Sequence, residues 1–172
     1  MIGAVNGVAA GAGANIAFAC DITFAANTAS FIQSFSSIGL VPDSGGTFFL
    51  PRLIGMQRAT AHMFLANKFS AEKAKELGMI YEVVEADKLM SEAQSFAEML
   101  AKRPTKGLGL TKRALNKAMF NTLEEQLEVE RDLQAIAGKT YDNKEGIQAF
   151  LEKRKHSLHL SLLKDIMKRE NI

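Results

Sequence analysis

Val5-Asn6-Gly7-Val8-Ala9-Ala10-Gly11-Ala12-Gly13-Ala14-Asn15 and, further along, Val41-Pro42-Asp43-Ser44-Gly45-Gly46-Thr47 are the stretches from which the fold can be read. Each is a glycine-rich turn running into an apolar segment, as expected of a chain that reverses tightly and then begins a helix. A helix start leaves backbone N–H groups unpaired and carries the positive end of the helix dipole. An oxygen developing negative charge is therefore stabilised there without a charged side chain. Only the second turn holds an ionisable residue, Asp43. An oxyanion site beside one carboxylate points to acyl or enolate chemistry.

Outward from these turns, Ile2 to Val8 is a short apolar run ending at Asn6-Gly7, suited to a buried strand and a turn. Ala10 to Ala19 is built almost wholly of Gly and Ala and reads as a helix that packs close to its neighbours. Asp21 to Ala26 and Ala29 to Phe35 read as strands separated by Asn27-Thr28. Strand, helix, strand in this order implies a right-handed crossover. Beyond Asp43 the pattern becomes helical. Ser70 caps a short helix ending at Gly78, and Ile80 to Val84 is strand-like. Asp87 opens a longer helix with Leu89, Ala93, Phe96, Ala97 and Leu100 on one face, stopping before Pro104. Thr122-Leu123-Glu124-Glu125 is a capping box for a helix through Ile136, closed by Gly138. Asp142-Asn143-Lys144-Glu145 has the same form and predicts a last helix from near Asn143. Ser157 to Ile172 carries an apolar stripe of Leu158, Leu162 and Ile166 among charges.

A chain of 172 residues with 47% hydrophobic and 23% charged residues is large enough to bury a substantial core. Its net charge of +2, with basic residues clustered only at Lys153-Arg154-Lys155, does not predict a nucleic-acid partner. Met1 to Cys20 is apolar, but it has no basic leader and is interrupted by glycines and asparagines, so neither a secretion signal nor a membrane span is expected. The single cysteine, Cys20, rules out an intramolecular disulfide and a cysteine-rich zinc site. It fits a reducing compartment, the cytoplasm, and a buried structural thiol. His62, His156 and His159 lack the spacing for a metal or a triad and read as surface or core residues.

Five blocks in order carry a family resemblance: Ala4 to Gly13; Ala19-Cys20-Asp21-Ile22; Gly39 to Thr47; Leu50-Pro51-Arg52-Leu53-Ile54-Gly55; and Glu145 to Arg154. Together they resemble the crotonase, or enoyl-CoA hydratase/isomerase, superfamily. Within it, Asn15 and the block around Asp43 are most similar to the ring-1,2-epoxyphenylacetyl-CoA isomerases of phenylacetate catabolism, which turn the ring epoxide into an oxepin-CoA. The resemblance implies an α/β fold of ββα repeats with a helical C-terminal oligomerisation region. Residues 1–66 would hold the C-terminal part of the core, and residues 67–172 the trimerisation helices and tail. It implies an acyl-CoA substrate, with coenzyme A part of that substrate and no separate cofactor or metal. It also implies a homo-oligomer, trimer or hexamer.

The same resemblance assigns roles. Ala12 stands where the family places its second oxyanion donor, flanked by Gly11 and Gly13. Lys153 matches a lysine that reaches coenzyme A phosphates. Phe31, Phe35 and Ile38 would line an apolar pocket that raises the Asp43 pKa. The hydratases of the family carry glutamates at the positions of Asn15 and Phe35. Neither residue here can take a proton, so hydration by paired carboxylates is not expected. The family also has about a third of a domain before the Ala4 block, including the first oxyanion donor, and the sequence looks N-terminally truncated.

Read from the residues alone, alternatives stay open. Ala12 may belong to a helix chosen only for tight packing. Asp43 is either an acid/base or the cap of the helix after Gly45. Asn15 either binds substrate or fixes Asp43, or is a solvated or backbone-bonded amide. Lys153 also suits a solvated helix face. At the level of the whole chain, an aliphatic enoyl-CoA double-bond isomerase shares the mechanism, and a catalytically silent interaction protein is the contrasting reading.

Overall fold

The apolar run at the N-terminus breaks at Asn6-Gly7 into two strands, β1 (Ile2–Val5) and β2 (Val8–Ala10). The computed structural model describes residues 1–155. After β2 come α1 (Ala12–Phe18), β3 (Ile22–Ala26) and β4 (Ser30–Ile32). A turn of 3₁₀ helix at Ser36–Ile38 leads to α2 (Gly46–Ile54) and α3 (Met56–Leu65). β5 (Phe69–Ser70), α4 (Ala71–Glu76), β6 (Glu82–Val84) and α5 (Leu89–Ala101) follow. The remaining helices are α6 (Thr105–Ala118), α7 (Leu123–Ala137) and α8 (Tyr141–Leu151).

The predicted crossover is present twice over. β1 lies parallel to β3, with Val5 opposite Ala25, and β2 lies parallel to β4, with Ala9 opposite Phe31. The break at Asn6-Gly7 thus sends consecutive strands into separate three-stranded sheets, ordered β1-β3-β6 and β2-β4-β5. α1 serves both crossovers. Its small residues Ala14 and Ala17 are buried, and Thr23 Oγ1 donates to the Ala17 carbonyl at 2.7 Å, tying β3 to the helix. Aromatic rings fill the space around it. Phe31 stacks between Phe18 and Phe69 at centroid distances of 5.3 and 5.9 Å, and Phe24 meets Phe96 edge-on. Burying each such ring contributes about 1.5–3 kcal/mol.

The chain divides into two compact units, Met1–Ala97 and a second beginning at Glu98. In the first, Ser70 caps α4 by accepting from the Lys73 N–H. Gly78, at φ +80°, ends that segment in the left-handed region, where a side chain would be strained. Asp87 does not open α5 directly, because a 3₁₀ turn at Ala86–Lys88 precedes it. β4 stops at Ile32 rather than at Phe35, since Gln33 leaves the ladder for another task.

In the second unit, α6 forms although Gly107 and Gly109 lower its helix propensity. The capping box at Thr122 is complete, with both reciprocal bonds to Glu125 in place. The start of α8 needs correction. Thr140, not Asp142, is the cap, its hydroxyl accepting from the Asn143 N–H at 3.2 Å. Asp142 instead lies inside the first turn, 4% exposed, with neither carboxylate oxygen hydrogen-bonded among the described residues. The amphipathic stretch Ser157 to Ile172, with His156 and His159, lies outside the described residues.

Candidate active site

Gly11 makes the first turn possible. Its φ of +52° favours glycine, and its N–H donates to the Ile32 carbonyl at 2.9 Å, tying the turn to the end of β4. A Cβ at Gly11 would also meet the Phe35 ring at 3.4 Å. The first intrahelical bond of α1 runs from the Asn15 N–H to the Gly11 carbonyl, leaving the N–H groups of Ala12, Gly13 and Ala14 without an intrahelical partner. Ala12 is half-buried and Gly13 exposed, so this end of the helix is open to a ligand oxygen.

Asp43 opens the second turn. Its carbonyl accepts from the Gly46 N–H at 2.8 Å and from the Asn15 amide Nδ2 at 2.9 Å, so both lone pairs are used. The backbone of Asp43 is thereby held against α1. Its carboxylate is not tied down in that way. It is exposed, accepts from the Ser44 hydroxyl at 3.0 Å, and makes no capping bond to α2, whose cap is Gly45 in the left-handed conformation. The capping role open to Asp43 in the sequence is therefore not the one it has.

Asn15 resolves in the same manner. It is 0% exposed, so it is not a solvated amide, and it is bonded to the backbone of the Asp43 turn rather than of its own helix. Its Oδ1 accepts from the Gln33 Nε2 at 2.8 Å. A Cβ at Gly46 would lie 2.3 Å from Asn15 Nδ2, so only glycine permits this approach. Gln33 carries only a faint signal in the sequence. Phe31, Gln33 and Phe35 alternate along the chain and all three are buried, so the signal was a lone amide on an apolar face.

The expected apolar pocket is not formed by the residues named for it. Phe31 is 0% exposed, its ring taken up by Phe18 and Phe69, so it offers a ligand no surface. Phe35 is buried beneath the Gly11 turn, while Ile38, the last residue of the 3₁₀ turn, is exposed. The apolar residues leading into Asp43 are Leu40 and Val41, and both are exposed. Lys153 is exposed in the second unit, beyond the end of α8, with a left-handed φ of 52°. Its neighbour Arg154 pairs with Glu145 and Glu152. His62 packs on Phe69 at 4.5 Å, and its pKa is lowered by partial burial and then by the charge of Lys73. Cys20 is only partly buried and donates to the Ile16 carbonyl.

Parallel crossover strands in two small sheets, followed by helices, are the α/β arrangement of the crotonase class. Residues 1–159 match the sequence model of the enoyl-CoA hydratase/isomerase family, and the chain belongs to that family. The chain is 53% identical over 154 residues to the 1,2-epoxyphenylacetyl-CoA isomerase of Escherichia coli K12, a match covering 90% of this chain and 59% of that protein. It is 44% identical to a probable enoyl-CoA hydratase of Rhodobacter capsulatus, covering 90% of the chain and 60% of the relative. Among solved structures, an enoyl-CoA hydratase subunit of Geobacillus kaustophilus superposes with a TM-score of 0.90 at 38% identity, covering 92% of this chain and 62% of that one. The chain thus spans about three fifths of the length of these relatives.

Proposed function

We propose that this chain is an isomerase of coenzyme A thioesters, acting on ring-1,2-epoxyphenylacetyl-CoA to give oxepin-CoA. The observation that carries the reading is the pairing of the open α1 start at Ala12 with an exposed Asp43 carboxylate whose backbone is anchored to that same helix. The 53% identity to an isomerase named for this substrate supports the choice of acyl group. A hydratase reading is disfavoured by the residues themselves, since Asn15 and Phe35 cannot exchange a proton and both are buried.

In this reading the thioester carbonyl oxygen accepts from the Ala12 N–H. The small side chain of Ala12 and the bare backbone of Gly11 and Gly13 allow the close approach. An α-proton of a thioester is too weak an acid for an unaided carboxylate, so the donor must stabilise the enolate while Asp43 moves the proton. For an enoyl thioester, Asp43 takes the proton from one carbon and returns it to another, and the double bond shifts with no net change in composition. The ring epoxide and its oxepin are likewise isomers, so no co-reactant is required. Lys153 would bind coenzyme A phosphate as a point charge. Coenzyme A belongs to the substrate, and no separate cofactor takes part.

The second unit would associate with further copies as a trimer or hexamer. Phe120, Leu123, Leu127, Phe150 and Leu151 are all exposed there, a large apolar area for a lone chain. Among the described residues no helix is long and apolar enough to cross a membrane. The test is to offer the purified chain the ring-epoxide thioester and an aliphatic 3-enoyl-CoA in parallel. Oxepin formation is the expected result. Turnover of the aliphatic thioester alone would move the assignment to a double-bond isomerase, and turnover of neither would leave a catalytically silent interaction protein.

A further inference from the structure

Two uncharged amides are among the most deeply buried side chains of the molecule, Asn15 and Gln33, both 0% exposed. Their orientation follows from the far end of the chain they form. The Asp43 carbonyl can only accept, so Asn15 must present Nδ2 to it, at 2.9 Å. Asn15 Oδ1 then faces the other way and can only accept, so Gln33 must present Nε2, at 2.8 Å. This leaves Gln33 Oε1 buried and without a partner among the described residues. A buried unpartnered acceptor is uncommon and costs stability, and an apolar residue of similar volume would fill the same space without that cost. The glutamine therefore does something that core packing does not require.

Its position shows what that is. Gln33 directly follows Ile32, whose carbonyl accepts from the Gly11 N–H, and lies two residues before Phe35, whose ring packs under Gly11. One short segment thus supports the turn that opens α1 and, through Asn15, the carbonyl of the turn that presents Asp43. Gly46 allows Asn15 to come this close, because any Cβ there would collide with the Asn15 amide.

We propose that Gln33 is a positioning residue of the active site: acting through Asn15, it sets the Asp43 turn against the helix start at Ala12. The inference rests on the functional reading of Asp43 and Ala12 given above. Gln33 touches no substrate. It locks the Asn15 amide in the one orientation that can hold the Asp43 backbone, and so fixes the point on α1 from which the proton-transferring side chain is presented. Displacing a reacting group by even about 1 Å lowers turnover substantially while leaving binding contacts elsewhere untouched.

The test uses the whole chain and two variants, Gln33→Met, which keeps the volume, and Gln33→Leu, neither of which can donate to Asn15 Oδ1. The first readout is hydrogen exchange of the Asn15 side-chain amide and of the Gly46 backbone amide, which bonds the Asp43 carbonyl. The second is the division of any rate effect between kcat and KM. Both variants are expected to speed exchange at these two groups by ~10-fold or more and to lower kcat by ~10-fold, with KM within ~2-fold. In an Asn15→Ala background, where the Gly46 amide alone is followed, adding Gln33→Met should change neither Gly46 exchange nor kcat and KM further, because the relay is already cut. Exchange at Gly46 unaltered in both variants, or additive losses in the double variant, would overturn the relay. Retained turnover in Asp43→Asn would overturn the functional reading itself, a separate outcome.

Discussion

Asn15 shows how a single residue can be conspicuous in a sequence while its role stays hidden. Its place after the glycine turn marked it as part of the site, but substrate binding, support of Asp43 and a solvated amide all remained open. Only its complete burial and its bond to the Asp43 carbonyl separate them. The partner Gln33 gave a fainter signal still, an amide at an inward-facing position between two phenylalanines. Gly46 is the third member, and its role is steric. Gly46→Ala would put a Cβ 2.3 Å from Asn15 Nδ2 and force the amide or the turn to move. Overpacking of this kind costs about 1–3 kcal/mol, so the urea midpoint should fall correspondingly. A variant with an unchanged midpoint would mean that the turn yields freely and that the relay does not hold it.

Local signals that involve only neighbours along the chain were readable as elements. The Thr122 capping box, the Ser70 cap and the helix stop before Pro104 all appear where composition places them, because each depends on residues within a single turn. What could not be read were choices made between distant segments. The break at Asn6-Gly7 separates two sheets, which no local pattern encodes, and Thr140 displaces Asp142 as a cap because both fit the motif. The pocket expected from Phe31, Phe35 and Ile38 failed for the same reason. Alternation put Phe31 and Phe35 on the inward face, yet inward there means the core and not a ligand cavity.

His62 offers a test at the element scale, since its packing on Phe69 joins α3 to β5. The folded pKa is lowered from 6.5 by burial and then by Lys73, so the folded state favours the neutral ring. That contribution is fully present above pH 6.5 and is lost as the pH falls through the lowered folded value, because the unfolded chain takes up the proton first. The urea midpoint of the wild-type chain should therefore drop between pH 7.5 and pH 5.5 by more than that of His62→Gln. Equal drops in the two proteins would show that His62 does not couple α3 to β5 through its neutral form.

For the whole molecule, the fold was the most legible property, because the two glycine turns and five ordered blocks admit few architectures besides the crotonase one. The chain belongs to the enoyl-CoA hydratase/isomerase family and spans about three fifths of its relatives' length. The claim at the centre of the proposed function is narrower: that Asp43, whose backbone carbonyl accepts from Asn15 of α1, moves the proton of a coenzyme A thioester. The most direct measurement compares turnover and thioester affinity of the wild-type chain with those of Asp43→Asn. General acid–base groups contribute about 10²–10⁴ in rate, so kcat should fall by at least ~100-fold with Kd nearly unchanged. An Asp43→Asn chain that turns over within a few-fold of wild type would contradict the account.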